Sequence, residues 1–309
     1  MKPRVTVVGS LNADLTLLVP ALPQPGETVL TEQPTQLSFG GKGGNQAAAA
    51  AAFGGRVAMI ARVGDDDIGR ALRADLAARG VDVTQVAVCG GVRTGSATIA
   101  VDRNGENQII VDAGANACLR PEDATPANLK DAAIVLVQME IPLKTVAAVV
   151  AAATAPVLLN PAPAAQLPAS VLDGVAVLVL NVPELATLTG SRAVGDPAAL
   201  ASLARKLKRD VVVTLGENGA LVVRATASSA VHIPPPPAPI RDTTGAGDCF
   251  CGALAVLLAE GADLTQASRL AVAAGTLSAT AAGARGKLPT RDEVTALAAG
   301  LTPRLIATQ

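Results

Sequence analysis

Asp242-Thr-Thr-Gly-Ala-Gly-Asp248 runs without a break into Cys249-Phe-Cys-Gly-Ala-Leu-Ala-Val-Leu-Leu258. In the second half Phe250, Leu254, Leu257 and Leu258 fall near one face at helical spacing, which predicts a helix over Cys249–Glu260. The glycines let the backbone turn tightly and approach a ligand closely. Gly245, Ala246 and Gly247 then offer free N–H groups at the positive end of a helix dipole, a site suited to an anion. A carboxylate there, Asp248, repels phosphate unless it has a task, and taking the proton from an attacking hydroxyl is such a task. The plain alternative is a capped helix start with an acid in its first turn.

Around this stretch, strands and helices alternate. Strands are predicted at Val5–Val8, Val57–Arg62, Ile134–Gln138, Val157–Leu159, Val175–Leu180 and Val211–Thr214. Helices are predicted at Gln46–Phe53, Ile68–Arg79, Lys144–Ala153, Ala198–Lys206, Leu264–Ala282 and Arg291–Ala299. The rhythm implies an α/β fold, a mostly parallel central sheet with helices on both faces, and ligands outside the carboxyl ends of the strands. Two stretches interrupt it. Residues 12–38 hold Pro20, Pro23, Pro25 and Gly26 among short β-prone pieces. Residues 94–111 read as a hairpin turning at Arg103-Asn-Gly105. Paired, they form a small sheet inserted as a lid in a single domain spanning 1–309. Ile233–Pro239, with its four consecutive prolines, reads as an extended linker, and the alanines at 47–52 read as helix filler.

Composition narrows the function. Half of the 309 residues are hydrophobic, yet there is no Trp or Tyr and only three Phe, so the core must be aliphatic. A net charge of −1 and the missing aromatics argue against nucleic acid, by charge and by base stacking, and against an acidic membrane. Four cysteines in a chain of this length are too few for a disulfide scaffold and read as reduced thiols. The apolar run Val5–Val8 is too short for a signal peptide, and Val146–Ala155 falls short of the roughly 20 residues of a membrane helix. The expected location is cytoplasmic.

A second glycine cluster, Phe39-Gly-Gly-Lys-Gly-Gly-Asn-Gln-Ala47, also opens onto a helix and offers Lys42, Asn45 and Gln46 as polar groups. It is no P-loop, since Lys42 is followed by glycine and Gln36 stands where the first glycine is required. Bare backbone here suits close packing around a ligand rich in hydroxyls, or a plain turn. Asn12 and Asp14 follow the first strand and share a face if the chain is extended, making either a hydroxyl-binding pair or ordinary turn formers. Val7-Val-Gly-Ser-Leu-Asn12 lacks the later glycines of a dinucleotide fingerprint, which disfavours a dehydrogenase.

Taken in order, Gly-Ser-x-Asn-x-Asp at 9–14, Pro-Gly-Glu-Thr at 25–28, Gly-Gly-Lys-Gly-x-Asn-Gln at 40–46 and Asp-Thr-Thr-Gly-Ala-Gly-Asp at 242–248 resemble the ribokinase (PfkB-type) family of carbohydrate kinases. Gly105-Glu-Asn, Gly114-Ala-Asn116 and Gln138-Met-Glu140 resemble its ribokinase branch in particular. The likeness runs from about Val5 to Val294. It implies a ribokinase-like fold with a β-sheet lid and phosphorylation of a sugar's primary hydroxyl by ATP with Mg²⁺. D-ribose is then the leading acceptor, with fructose, deoxyribose or a nucleoside as alternatives, and a catalytically dead sugar sensor as a reading from another class. The partners implied are the sugar and ATP, with a second copy docked through the lid as a homodimer.

By the same resemblance Asp248 is the base, and the N–H groups of Gly245, Ala246 and Gly247 form the anion hole. Asn12, Asp14, Gly40, Gly41, Lys42, Asn45 and Glu140 hold the sugar. Asn181, Thr214, Gly216 and Gly219 lie at the nucleotide, and Glu184 reaches Mg²⁺ through water. Asp242, Thr244 and Gly283 frame a monovalent-cation site for K⁺. In Gly283-Ala-Arg-Gly-Lys287, however, Lys287 replaces a small polar residue, so its ammonium either takes the place of K⁺ or extends into solvent. Two further departures are Val272, near where many members carry an asparagine by the nucleotide, and Cys249, where threonine is common. Cys249 is either an oxidation-sensitive thiol or an inert buried one. His232 is expected to be exposed, without partner or role.

Overall fold

A computed structural model describes residues 2–192 and 195–307. The chain begins with β1 (Arg4–Val8), β2 (Asn12–Leu18), β3 (Gln36–Gly40), α1 (Lys42–Ala52), β4 (Arg56–Gly64), α2 (Asp67–Ala78) and β5 (Asp82–Cys89). β6 (Gly95–Val101) and β7 (Asn107–Asp112) follow, then two 3-10 turns, Gly114–Cys118 and Pro121–Ala124, and the short α3 (Pro126–Leu129). Next come β8 (Ala132–Gln138), α4 (Leu143–Ala152), β9 (Val157–Asn160), α5 (Ala169–Gly174), β10 (Val177–Asn181), α6 (Val182–Thr189), α7 (Pro197–Arg205) and β11 (Asp210–Thr214). The last elements are β12 (Ala220–Val223), β13 (Ser229–Ile233), α8 (Ala246–Ala259), α9 (Leu264–Ser278), α10 (Arg291–Ala298) and β14 (Arg304–Ala307).

Ten strands form one sheet in the order β14-β13-β12-β11-β10-β9-β8-β1-β4-β5. From β11 to β5 all neighbours are parallel, and β12 to β14 add an antiparallel edge. Successive side chains of a strand point to opposite faces, and here both faces are apolar. Ile134 and Leu136 of β8 join a cluster with Val5, Leu254 and Ala271, whereas Val135 and Val137 join another with Val146, Leu185 and Leu200. The sheet is thus covered on both sides, with α1, α8 and α9 contributing to one layer and α4, α6 and α7 to the other. No helix among the described residues is long and apolar enough to cross a membrane.

The alanines of α1 are more than filler. Ala47 to Ala50 are buried, and a Cβ at Gly252 of α8 would lie 2.7 Å from the Gln46 carbonyl oxygen. Small side chains let the two helices touch backbone to backbone, which brings the start of α1 up to the start of α8.

β4 and β5 lie on one side of β1, and β8 to β11 on the other, so the strand order reverses between β1 and β8. Open α/β sheets bind ligands in the crevice at such a point. A second sheet of order β3-β2-β6-β7 rises there, and its strands fall on the two stretches that interrupt the α/β rhythm. Its apolar side chains Leu37, Ile109, Ile110 and Val111 are exposed.

Several elements differ from expectation. α1 starts at Lys42, not Gln46, because Gly41 takes the N-cap position with φ +79°. α9 ends at Ser278 rather than Ala282. β5, β12, β13 and β14 and helix α6 are additional. β13 ends at Ile233, where the prolines remove the N–H groups a further ladder needs.

Candidate active site

Polar residues close the carboxyl ends of four adjacent parallel strands: Gln138 on β8, Asn160 on β9, Asn181 on β10 and Thr214 on β11. Gln138 is in register with Asn160, and Asn181 with Thr214. Gln46, on the first turns of α1, reaches down to this row. Its Oε1 accepts from Gln138 Nε2 at 2.5 Å, and its Nε2 donates to Asn160 Oδ1 at 3.2 Å and to Asp248 Oδ1 at 2.9 Å.

Asp248 is 8% exposed in the first turn of α8. Its Oδ2 accepts from Asn45 Nδ2 at 3.1 Å. Burial raises its pKa, partly opposed by the Lys42 charge and by the hydrogen bonds from Gln46 and Asn45. A raised pKa makes the carboxylate a better proton acceptor. Gly245 is the N-cap of α8 at φ +76°, and a Cβ there would sit 2.6 Å from the Ala284 carbonyl oxygen. A Cβ at Gly247 would meet nothing within 4 Å, so there is open space beside the first turn of α8, where a helix start favours an anion, although the Ala246 N–H donates to the Thr243 carbonyl oxygen at 3.1 Å.

The start of α1 is pressed onto the β1–β2 connection. A Cβ at Gly41 would lie 2.7 Å from the Asn12 backbone nitrogen, and one at Gly43 would lie 2.6 Å from that of Ser10. The glycine cluster therefore serves close contact between two pieces of backbone. Lys42 N–H donates to Glu140 Oε2 at 2.9 Å, and Ser10 Oγ donates to the same oxygen at 2.5 Å. Asn12 Oδ1 accepts from Asn116 Nδ2 at 2.7 Å, and Asn116 Oδ1 accepts from Leu11 N–H at 2.8 Å. A side chain at Gly40 would collide with the Asp14 carboxylate. Burial, reinforced by Glu140 and Asp248 and opposed by Arg285, raises the Asp14 pKa to about 6. Burial opposes the Lys42 charge, but Asp248, Glu140 and Glu184 together raise its pKa, so the ammonium persists among three carboxylates.

Arg285 was not singled out from the sequence. Its side chain is 6% exposed and its guanidinium binds three groups: Nε to Asn45 Oδ1 at 2.9 Å, Nη1 to Asp75 Oδ2 at 2.8 Å and Nη2 to the Gly40 carbonyl at 3.2 Å. A Cβ at Gly44 would collide with Nη2. Ser10 and Asn160 were likewise not assigned. The sequence signal for Ser10 is its place in the Gly-Ser-x-Asn-x-Asp motif just beyond β1, and that for Asn160 is its position at the end of β9.

On the β10–β11 side lies a cavity of about 490 Å³, walled by Asn181, Pro183, Leu200, Thr214, Gly216 and His232 among others. Gly219 stands beyond Asn218 at φ +82°, closing the turn into β12. His232 is half-buried, with Nε2 2.7 Å from the Asn218 carbonyl oxygen, contrary to the expected exposure. Asn181 and Glu184 cap α6 reciprocally. Glu184 N–H donates to Asn181 Oδ1 at 2.8 Å, and Asn181 N–H to Glu184 Oε2 at 2.8 Å. Burial raises the Glu184 pKa, with Asp248 adding to the effect and Asn181 and Lys42 opposing it. Among the described residues no cluster of three His, Cys, Asp or Glu side chains stands ready to hold a metal. One buried carboxylate fits Mg²⁺, which keeps most of its waters and is carried largely by substrate phosphates.

The Asp242 carboxylate ties two loops together. Oδ1 accepts from Thr244 N–H at 2.9 Å and Oδ2 from Gly283 N–H at 2.7 Å. Burial works against the Asp242 charge, but these bonds hold its pKa below the usual range. Of the two places open to Lys287 the structure shows the outer one. Its Nζ pairs with Glu293 Oε1 at 3.5 Å and its side chain is 34% exposed. Val272 is buried in the core. Cys249 is buried too, and burial pushes its thiol up to about 12, which fits the inert alternative.

The chain matches the model of the pfkB family carbohydrate kinases over residues 2–291. A ribokinase of Bacillus subtilis is 39% identical over 295 residues, 94% of this chain and 97% of the relative. A deoxyribokinase of Salmonella typhimurium is 34% identical over 299 residues, 94% of this chain and 96% of the relative. Among solved structures, Arabidopsis thaliana ribokinase complexed with ribose and ATP superimposes with a TM-score of 0.86 at 31% identity, covering 96% of this chain and 99% of that one.

Proposed function

We propose D-ribose as the acceptor, from the premise that this chain belongs to the pfkB family of carbohydrate kinases and is an ATP-dependent sugar kinase. The product is then D-ribose 5-phosphate. The observation that carries the reading is the buried Asp248, held by Asn45 and Gln46 at the N-terminus of α8 with open space above Gly247. Similarity to a ribokinase over nearly the whole chain supports ribose, and similarity to a deoxyribokinase keeps 2-deoxyribose as the second reading.

In this scheme Asn12, Asp14, Lys42 and Asn45 hold the sugar hydroxyls, and Glu140, accepting from Ser10 and Lys42, fixes the floor. Asp248 takes the proton of the primary hydroxyl as its oxygen attacks. The N–H groups of Gly245 to Gly247 receive the negative charge of the transferring group, and Lys42, amid the carboxylates, moderates the field between both ends. Alignment and charge neutralisation are what phosphoryl transfer asks of a protein. ATP lies along the Asn181–Thr214–Gly216 cavity. Glu184 would hold Mg²⁺ through water, and the ion would supply charge neutralisation at the phosphates. The Asp242–Thr244 turn and Gly283 would hold K⁺ if it binds, a place that Lys287, paired with Glu293, leaves to it. The second sheet serves as a lid over the sugar and, through Leu37, Ile109, Ile110 and Val111, as the homodimer contact of a cytoplasmic enzyme.

ADP release with Mg-ATP, measured across D-ribose, 2-deoxyribose, fructose and nucleosides, tests the reading. Highest kcat/KM on D-ribose supports it. Preference for another acceptor moves the substrate and keeps the mechanism. Sugar binding with silence on every acceptor overturns it.

A further inference from the structure

We propose that Gln46 is a positioning residue for the proton acceptor, and that Gln138 and Asn160 fix its amide so that only the nitrogen end faces Asp248. The inference rests on the reading of Asp248 as the base and deepens it. Gln46, Gln138 and Asn160 are all buried, and they come from three different elements, α1, β8 and β9. None of them is among the residues proposed to touch sugar, nucleotide or metal.

The direction of the network starts at a backbone carbonyl, which can only accept. The ladder between β9 and β10 ends at the pair Leu159–Leu178. One residue further on, Asn160 Nδ2 donates to the Val179 carbonyl oxygen at 2.9 Å, so the oxygen of the same amide is left for α1. There Asn160 Oδ1 accepts from Gln46 Nε2 at 3.2 Å. The same nitrogen donates to Asp248 Oδ1 at 2.9 Å. At the other end of the amide, Gln46 Oε1 is taken by Gln138 Nε2 at 2.5 Å. A flipped Gln46 would set oxygen against oxygen at Asn160 and nitrogen against nitrogen at Gln138.

Burial pushes Asp248 toward its protonated form, in which it cannot take a proton from the sugar. That form needs an acceptor for its own O–H. Gln46 presents only N–H to Oδ1, and Asn45, whose oxygen accepts from Arg285, presents only N–H to Oδ2. Two oriented donors therefore bind the ionised carboxylate in preference to the acid. Each oxygen accepts one amide N–H and keeps a further lone pair for the sugar hydroxyl. Of the charges that face Asp248, Lys42 on α1 favours ionisation and Glu140 beyond β8 opposes it. Asp14 on β2 and Glu184 on α6 repel it too, and burial holds the Cys249 and Cys251 thiols of α8 protonated. None of these groups changes when the Gln46 amide is removed.

The test is a double-mutant cycle of wild type, Gln46→Met, Asp248→Ala and the double variant. ADP release is measured with Mg-ATP and the better of D-ribose and 2-deoxyribose. Methionine keeps the length and bulk of Gln46 and removes its amide. Gln46→Met is expected to lower kcat by about ten- to a hundredfold, with KM for sugar and ATP changed less than about threefold. In the Asp248→Ala background the same change is expected to cost less than about twofold, because residues that act as a unit are not additive. Unchanged kcat in Gln46→Met, or an equal loss in both backgrounds, overturns the proposal and leaves Asp248 as the base. Near-normal turnover in Asp248→Ala overturns the base itself, and the role of Gln46 with it. A neutron structure of the wild-type protein at neutral pH decides even if the methionine variant misfolds. Deuterons on Gln46 Nε2 directed at Asp248 and Asn160 are expected, and a deuteron on Asp248 Oδ1 facing a Gln46 oxygen overturns the proposal.

Discussion

Asn45 donates to Asp248 across 203 positions of sequence, Nδ2 to Oδ2 at 3.1 Å, and the orientation of its amide is imposed from the other end. Arg285 Nε donates to Asn45 Oδ1 at 2.9 Å, so oxygen faces Arg285 and nitrogen faces Asp248. The flip of this amide is therefore fixed by its partners. A chain Asp75–Arg285–Asn45–Asp248 links α2, the Gly283–Lys287 loop, α1 and α8.

Replacing Asp248 removes the proposed proton acceptor and leaves the proposed anion hole in place. Asp248→Ala is expected to lower kcat by about 10²- to 10⁴-fold, the usual worth of a general base, with a much smaller change in sugar affinity. Steady-state ADP release and sugar binding by calorimetry check this. Near-normal turnover in the variant contradicts the assignment.

Arg285 is expected to act through Asn45. Arg285→Ala takes one of the two arginines from Asp75, which keeps Arg79, and leaves the Asn45 amide oxygen and the Gly40 carbonyl without their donor, so a loss of about 1–3 kcal/mol follows. Misplacing Asn45 is also expected to lower kcat/KM for the sugar by roughly ten- to a hundredfold, with KM for ATP unchanged. Arg285→Lys keeps the charge but not the three-way fork, so it recovers stability better than activity. Lost stability with unchanged sugar kinetics marks a purely structural residue.

Asp14 titrates at about 6 in the folded protein, above its ordinary value of 3.8. The folded state then holds this proton more tightly than the unfolded chain, so the ionised form costs stability. That contribution falls as pH rises from about 4 to about 6 and is level above. Asp14→Asn is expected to raise Tm above pH 6 and leave it unchanged below about pH 4. In the wild-type enzyme KM for the sugar is expected to rise as pH falls through 6, since a protonated Asp14 loses acceptor capacity. A flat KM from pH 5 to 8 contradicts a sugar-binding role.

Gly245 and Gly247 separate the fold from the proposed anion hole. Alanine at Gly245 meets both a positive φ and the Ala284 backbone, so Gly245→Ala is expected to cost about 1–3 kcal/mol by thermal denaturation. Alanine at Gly247 lies in a helix over open space and is expected to be neutral or slightly stabilising. Its methyl group nevertheless occupies the place proposed for phosphate, so turnover falls while Tm holds. Full activity in Gly247→Ala places the phosphate elsewhere.

K⁺ is expected to raise turnover in the wild-type enzyme and equally in Lys287→Ala, because Lys287 pairs with Glu293 instead. Removing that exposed pair changes stability by less than about 1 kcal/mol. A K⁺ titration of both proteins reads this. Activation appearing only in the variant shows that the ammonium had occupied the cation site.

The sequence by itself determined the alternating α/β layers, the two glycine-opened helices and the acid at the head of α8. These rest on local causes: periodic apolar residues, glycine's backbone freedom and a helix's free N–H groups, all readable within a few consecutive positions. Through its resemblance to a known family it also supplied most of the residues that gather at the strand ends. Tertiary structure alone decided which polar groups meet. Arg285 reaches Asn45 from 240 positions away. It turned Lys287 toward Glu293 and set His232 beside Asn218 in the cavity proposed for the nucleotide. Such pairings depend on how packed helices and strands are placed relative to one another. That placement is fixed by the aliphatic core as a whole, so no window of neighbouring residues carries it.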